Sequence, residues 1–346
     1  MKYTKSIYLR SELNNTEKRT VLIPTDAKEL IKDGWVCYVE KSKNRIYPDQ
    51  LYLQELCELT DLPWYHEKFS SSLIIGLKQF EYLEKLNTHS HIYFSHSYQN
   101  QLGSIQLLKQ FSDSNSTLLD LEYFLDSKGS RLVSFGFWAG IVGCGLALLE
   151  YFNTKLSLQS LQNLTWWDNY SLFIDLIQDK LKLLNSSTDI KIGLIGANGN
   201  CGKGVQNLLN ELELNYTILD KNSDSNTFVS FDIFINCIKL NPNSTQIWFD
   251  DFTYFTNQII ISDISCDYTK PNNPIKLYDK NSTWTNPIIK PNQFVKIIGI
   301  DNLPSLIPKS SSDYFSNLFV KLLKDYSNDN NKIWEQNLNI YKNMIS

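Results

Sequence analysis

Short apolar runs alternate with longer stretches of helical spacing along the chain, a pattern that predicts strands and helices in alternation. In the first 130 residues, apolar runs at 7–9, 35–39, 73–78 and 92–96 have strand length. Between the first two, Asp26 is expected to cap a short helix, with Glu29 three residues on and Gly34 ending it. After the polar stretch 185–189 the pattern resumes, with strand-like runs at 191–196, 215–220, 232–237, 258–264 and 294–300. A helix is expected around 205–212, and the tail, 310–345, reads as two helices broken at 327–331. No repeat of solenoid period is visible.

One run stands apart. Residues 132–149 carry no charge over 18 positions, enough to suggest a membrane helix. Gly136, Gly140, Gly143 and Gly145 give it the small-residue spacing that suits close helix packing, in a bilayer or in a protein core. Its flanks are Arg131 and Glu150, without the basic cluster that sets membrane orientation, and no second such run exists. A buried core helix is the expectation.

Length and composition sharpen this. A chain of 346 residues predicts two domains. Lys+Arg 33 against Asp+Glu 37 gives a net charge of −4, which argues against a protein that coats nucleic acid or an anionic membrane. Hydrophobic residues at 42% and aromatics at 13% can fill large cores, so wholesale disorder is excluded. The six cysteines form no C-x-x-C, so neither a disulfide scaffold nor a zinc site is expected. His89, His91 and His96 lie close together, but no Cys or second His pair at ligand spacing accompanies them, and no metal is expected. The N-terminus lacks an apolar core and reads as a strand, so a cytoplasmic location is expected.

Candidate chemistry sits where strands end. In open parallel sheets ligands bind beyond the carboxyl ends of strands, which is where Lys78 and His96 fall. The run Gly196-Ala-Asn-Gly199-Asn-Cys-Gly202 joins a strand to a helix, and Asp220 closes the next strand. Glycines there let backbone N–H groups approach a pyrophosphate at a helix N-terminus, while an acid at Asp220 suits ribose hydroxyls and repels a 2′-phosphate. NAD is therefore favoured over NADP, with Lys221 the one residue against. A nicotinamide cofactor implies hydride transfer and a protein acid–base group, for which Lys78 and His96 are the candidates. A Lys reaching solvent and a His satisfied in a core are the bland alternatives. There is no G-x-S-x-G and no Walker motif to support hydrolysis.

Ordered segments run almost end to end: Leu9-Arg-Ser-Glu12 with Arg19, Ile75-Gly-Leu-Lys78, Phe94-Ser-His96-Ser-Tyr-Gln-Asn-Gln101, and Leu119-Asp-Leu-Glu122. They continue with Arg131 and Phe135-Gly-Phe-Trp-Ala-Gly140, the glycine loop, Ile235-Asn-Cys237, Asp263-Ile-Ser-Cys-Asp267, and Ile300-Asp-Asn-Leu-Pro-Ser-Leu-Ile-Pro308. In these the chain resembles the NAD-dependent, lysine-forming saccharopine dehydrogenase family. The resemblance implies an α/β protein of two Rossmann-like domains, each a mostly parallel sheet flanked by helices, with an active-site cleft between them. It divides the chain into a substrate domain, 1–134 plus 309–346, and an NAD-binding domain, 135–308.

By the same resemblance, saccharopine would be oxidised to lysine and 2-oxoglutarate. Lys78 would take the proton of the secondary amine, His96 would act in imine hydrolysis, and Glu122 would tune both. Arg19, Gln101 and Arg131 would bind substrate, with Phe135, Ser265, Cys266 and Asp267 lining the site. A substrate with three carboxylates suits arginine, whose fork meets a carboxylate bidentately. NAD would be held by Ser130, Gly196, Gly199, Asn200, Cys201, Asp220, Lys239, Ile264, Ile300, Asp301, Asn302 and Leu303. A monomer is expected, with no nucleic-acid or membrane partner.

The chain also departs from the family pattern. Gln79 stands where fungal members carry Glu, Gln99 where they carry Lys, Asn302 where they carry His and Ser130 where they carry Arg. Cys201 and Cys237 match positions that can pair in relatives. Two other readings stay open: an amino-acid dehydrogenase of the alanine dehydrogenase type, and an NAD-binding regulatory protein without catalysis.

Overall fold

The computed structural model describes residues 5–99, 103–184, 189–220, 223, 225–238, 246–270, 272–326 and 331–345. The chain divides into two compact units, Met1–Ser134 with Pro308–Ser346, and Phe135–Ile307.

The first unit runs β1 (Ser6–Leu9), α1 (Pro24–Lys32), β2 (Val36–Glu40), α2 (Asp49–Gln54), β3 (Glu58–Thr60), β4 (Leu73–Ile75), β5 (Ser90–Tyr93), α3 (Ser104–Asp113) and β6 (Thr117–Asp120). Its six strands are all parallel, in the order β3-β2-β1-β4-β5-β6. Ile7, Tyr8, Leu9, Ile74 and Ile75 are each at most 1% exposed. A parallel sheet covered on both faces needs such unbroken apolar runs. Successive crossovers change direction between β1 and β4, so the loops leaving these two strands part and open a crevice at their carboxyl ends.

One expectation for this unit changes. Asp26 does not cap α1: the cap is Ile23, three residues earlier, with Pro24 in the first turn. Proline's fixed φ and missing N–H suit that position, and Asp26 instead accepts a hydrogen bond from Ser316 Oγ (2.5 Å). His89 and His91 point into an aromatic core. The His91 ring stacks on Phe80 at 4.4 Å, and Trp64 meets both imidazoles edge-on. Burial holds both histidines below their ordinary pKa.

The second unit holds α4 (Gly136–Lys155), α5 (Tyr170–Leu183), β7 (Ile192–Ile195), α6 (Asn200–Glu211), β8 (Thr217–Leu219), α7 (Ser225–Phe228), β9 (Ile233–Asn236), β10 (Ile259–Asp263) and β11 (Val295–Ile298). These strands are also parallel, in the order β11-β10-β9-β7-β8, with the change of direction between β7 and β9. The uncharged run becomes α4, buried without interruption from Gly140 to Asn153. No helix among the described residues is long and apolar enough to cross a membrane.

The small residues of α4 serve contact with α6. A Cβ on Gly140 would lie 2.0 Å from the Cys201 carbonyl oxygen, and one on Gly204 would lie 1.9 Å from that of Phe137. The two helices thus meet backbone to backbone. Glu150, which in the sequence marked the end of the apolar run, is fully buried. Its carboxylate accepts from Ser160 Oγ (2.6 Å), Leu161 N (2.8 Å) and Lys296 Nζ (2.7 Å), which is how a charge can sit inside a helix core.

The chain then returns to the first unit as α8 (Pro308–Tyr326) and α9 (Lys332–Ile345). Ser312 and Ser316 of α8 accept the backbone N–H groups of Thr20 and Ile23 at 3.0 and 2.9 Å. On α9, Asn337 donates to the Asp120 carbonyl and Tyr341 to that of Ser116.

Gly204→Ala tests the α4–α6 contact. The added methyl meets a main-chain oxygen that cannot turn away, so stability should fall by about 2–3 kcal/mol. Urea unfolding followed by far-UV circular dichroism measures it.

Candidate functional site

In the first unit the loops leaving β4, β5 and β6 carry Lys78, His96 and Glu122. His96 has a left-handed backbone, φ +56°, which a non-glycine residue adopts only where its surroundings hold it. The holding group is Asp120, fully buried. Its Oδ2 accepts from Ser95 N (3.2 Å), Ser95 Oγ (2.6 Å) and His96 N (3.1 Å), while Oδ1 accepts from Glu122 N (2.8 Å). Burial pushes the Asp120 carboxyl up, against the Ser95 and Glu122 hydrogen bonds that favour its charge.

The Glu122 carboxylate, itself buried, lies between two side chains. Arg131 Nη2 is 2.8 Å from Oε1, and His96 Nδ1 is 3.7 Å from the same oxygen. The structure therefore joins His96, Glu122 and Arg131 in one array, while Lys78 stands at the end of the neighbouring strand. Beside them a cavity of about 380 Å³ is lined by Gln79, Tyr93, Ser95, Ser97 and Gln110 among others. An imidazole flanked by a carboxylate, with an amine one strand away, is an arrangement able to move protons.

Arg19 is also buried, and its fork is engaged. Nε and Nη2 donate to the two oxygens of Glu17 at 2.8 and 2.7 Å. Ser130 lies on an exposed turn, its N–H on Asp126 Oδ1 (2.8 Å). Gln101 falls outside the described residues.

In the second unit, β7 leads into Gly196, with φ +88°. A Cβ on Gly202 would lie 2.2 Å from the Gly196 carbonyl oxygen, so the turn closes only around glycine. α6 begins with Gly199 at its cap, without a side-chain cap, and Asn200 and Cys201 in its first turn. Asp220 follows β8, exposed, with its N–H on Ser223 Oγ (3.0 Å). This cradle of tight turn, uncapped helix start and exposed acid fits a dinucleotide's pyrophosphate and ribose.

Cys201 and Cys237 are free thiols with sulfurs 3.0 Å apart. Ser265, Cys266 and Asp267 leave the end of β10. The buried Asp263 holds the first two, accepting from Ser265 Oγ (2.9 Å) and Cys266 N (3.4 Å), and it also accepts from Asn236 Nδ2 (2.9 Å) and Tyr278 OH (2.6 Å). Asp267 also pairs with Lys270 at 2.6 Å. Ile264 packs against α4 at Gly143. Ile300 and Leu303 are buried, Asp301 exposed and Asn302 partly buried on the turn after β11, and Phe135 caps α4. Lys239 falls outside the described residues.

Sequence reasoning missed Asp120, Glu17 and Asp263. The available signal was an acid at the end of an apolar run, in Leu119-Asp-Leu-Glu122 and in Ile261-Ser-Asp263.

Residues 8–142 match the family described as alanine dehydrogenase/PNT, N-terminal domain. The chain is 30% identical to a saccharopine dehydrogenase [NAD(+), L-lysine-forming] of Emericella nidulans, over 99% of this chain and 98% of that one. A protein of the same name from Yarrowia lipolytica is 31% identical, over 95% and 94%. Among solved structures, an L-alanine dehydrogenase is similar with TM-score 0.69 and 13% identity, covering 97% of this chain and 93% of that one, a likeness of fold.

Asp120→Asn replaces one acceptor oxygen by an amide that faces N–H donors. It should cost about 2 kcal/mol or more in unfolding free energy, measured by urea titration. The His96 backbone amide resonance should shift in a ¹H–¹⁵N spectrum while those of β1 stay in place.

Proposed function

We propose that this chain, which belongs to the family of NAD(+)-dependent, L-lysine-forming saccharopine dehydrogenases, oxidises L-saccharopine at the carbon bearing its secondary amine. L-saccharopine, NAD(+) and water give L-lysine, 2-oxoglutarate, NADH and a proton. This is the last step of lysine biosynthesis by the 2-aminoadipate route. The observation that carries the reading is the His96–Glu122–Arg131 array at the strand ends beside Lys78, in a chain similar to these enzymes over its full length.

The first unit would bind the substrate, and in the second the 196–202 turn and Asp220 would hold NAD, which when bound would supply the hydride acceptor. Lys78, as the amine, takes the proton of the substrate's secondary amine and frees its lone pair to form the C=N bond. His96 takes a proton from the water that adds to the imine carbon, and the carbinolamine then splits to 2-oxoglutarate and lysine. The Glu122 carboxylate lies between the His96 ring and the Arg131 guanidinium and sets the position of both. Arg131 meets a substrate carboxylate, its guanidinium oriented by Glu122, and Arg19, which the resemblance also assigns to the substrate, is held on Glu17 through Nε and Nη2. The enzyme is a cytoplasmic monomer, and its nearly balanced charge suits a small-molecule substrate over a polyanion.

NADH should form with L-saccharopine and not with L-alanine. Turnover of alanine would move the chain to the alanine dehydrogenase type, and NAD binding by calorimetry without turnover of either would favour a regulatory protein. Lys78→Ala should lower kcat by about 10²-fold or more, whereas an unchanged pH–rate profile would remove Lys78 from the chemistry. In Asp220→Ala the KM for NAD should rise with the melting temperature unchanged.

A further inference from the structure

Lys78 lies three residues beyond the end of β4, where the sheet no longer provides partners on the β1 side. The last ladder-like bonds there are Arg10 N to Ile75 O (2.9 Å) toward β1, and Phe94 N to Leu77 O (3.0 Å) toward β5. Beyond them, two side chains from the segment after β1 take over. Glu12 Oε1 accepts from Leu77 N (2.6 Å) and Oε2 from Lys78 N (3.0 Å). Arg10 Nη2 donates to the Lys78 carbonyl oxygen (2.8 Å). Both main-chain polar groups of Lys78 are thus held by β1's extension, at the crevice where the strand order changes direction.

We propose that Arg10 and Glu12 are positioning residues that fix the backbone of Lys78, their side chains standing in for the strand that β1 no longer supplies. The residue types suit the task. One carboxylate spans two consecutive N–H groups, and these bonds together with the Arg10 guanidinium favour its charge against the burial that pushes its carboxyl up. The guanidinium is locked in its turn: Arg10 is 4% exposed and lies over the Phe80 and Tyr93 rings at 4.9 and 5.7 Å. It also crosses Gly76 so closely that a Cβ there would be 2.3 Å from Nη2. A glycine before Lys78 is therefore part of the same device. The assignment rests on Lys78 being the proton acceptor of the proposed reaction.

Glu12→Gln and Gly76→Ala test it, with two separate readouts. Glu12→Gln replaces one acceptor oxygen by NH₂, and Gly76→Ala displaces the guanidinium. Hydrogen–deuterium exchange should speed up at Leu77 and Lys78 by about tenfold or more, with Tyr8 and Ile92 unchanged. Misplacement of Lys78 should lower kcat by about 10²-fold, while KM for NAD and saccharopine stays within about twofold of wild type. Unchanged exchange in both variants overturns the clamp, and faster exchange with unchanged kcat overturns its catalytic meaning. Should Glu12→Gln not fold, Gly76→Ala decides alone. A wild-type protein that does not turn over saccharopine refutes the proposed reaction instead, and the exchange rates still decide whether the clamp exists.

Discussion

The arrangement around His96 depends on one buried carboxylate. Asp120 sits at the end of β6 and collects donors from two other places, the end of β5 at Ser95 and His96 and the turn at Glu122. A buried charge is costly unless its hydrogen bonds are made, so each donor is held as firmly as the acid itself. The left-handed backbone of His96 is sustained by this network. Asn337 of α9, bonded to the Asp120 carbonyl, ties the C-terminal helix to the same point.

The device recurs at several strand ends. Glu40, ending β2, accepts from Ser11 N and Oγ just after β1. Glu12 accepts from the residues after β4, and Asp263, ending β10, from Ser265 and from Asn236 at the end of β9. Parallel strands that end together leave N–H groups without ladder partners. A carboxylate brought from the adjacent strand supplies acceptors while leaving the loop's own side chains to face outward. Function-bearing loops can then be irregular in path and still fixed in place.

The sequence revealed what local pattern controls. Unbroken apolar runs marked both parallel sheets, glycines marked the turn after β7, and strand ends placed Lys78, His96 and Asp220. Long-range partnerships were not legible. Nothing near Glu150 in the sequence announces Lys296, so a buried ion pair read as the polar edge of an apolar run. Asp26 carried a cap signal, yet Pro24 set the helix start and Ser316, 290 residues away, took the carboxylate. Arg19 entered through the resemblance as a substrate ligand, and Glu17, two residues off, gives no sign in the sequence of folding back onto it. Asp120 was visible as an acid in an apolar run, and its role needed the positions of three loops at once.

The two histidines stacked in the core of the first unit carry a consequence of their own. None of their ring nitrogens meets a hydrogen-bond partner among the described residues. Burial holds both below the ordinary value, with Arg10 and the neighbouring imidazole adding to it at His91. Above the unfolded imidazole pKa of about 6.5 both states are neutral there and nothing is lost. As pH falls through that value the unfolded chain takes up two protons that the fold refuses, and the balance tips toward unfolding. The acid limit of this protein is therefore written partly into an aromatic cluster behind the strands, at imidazoles apart from the His96–Glu122–Arg131 array.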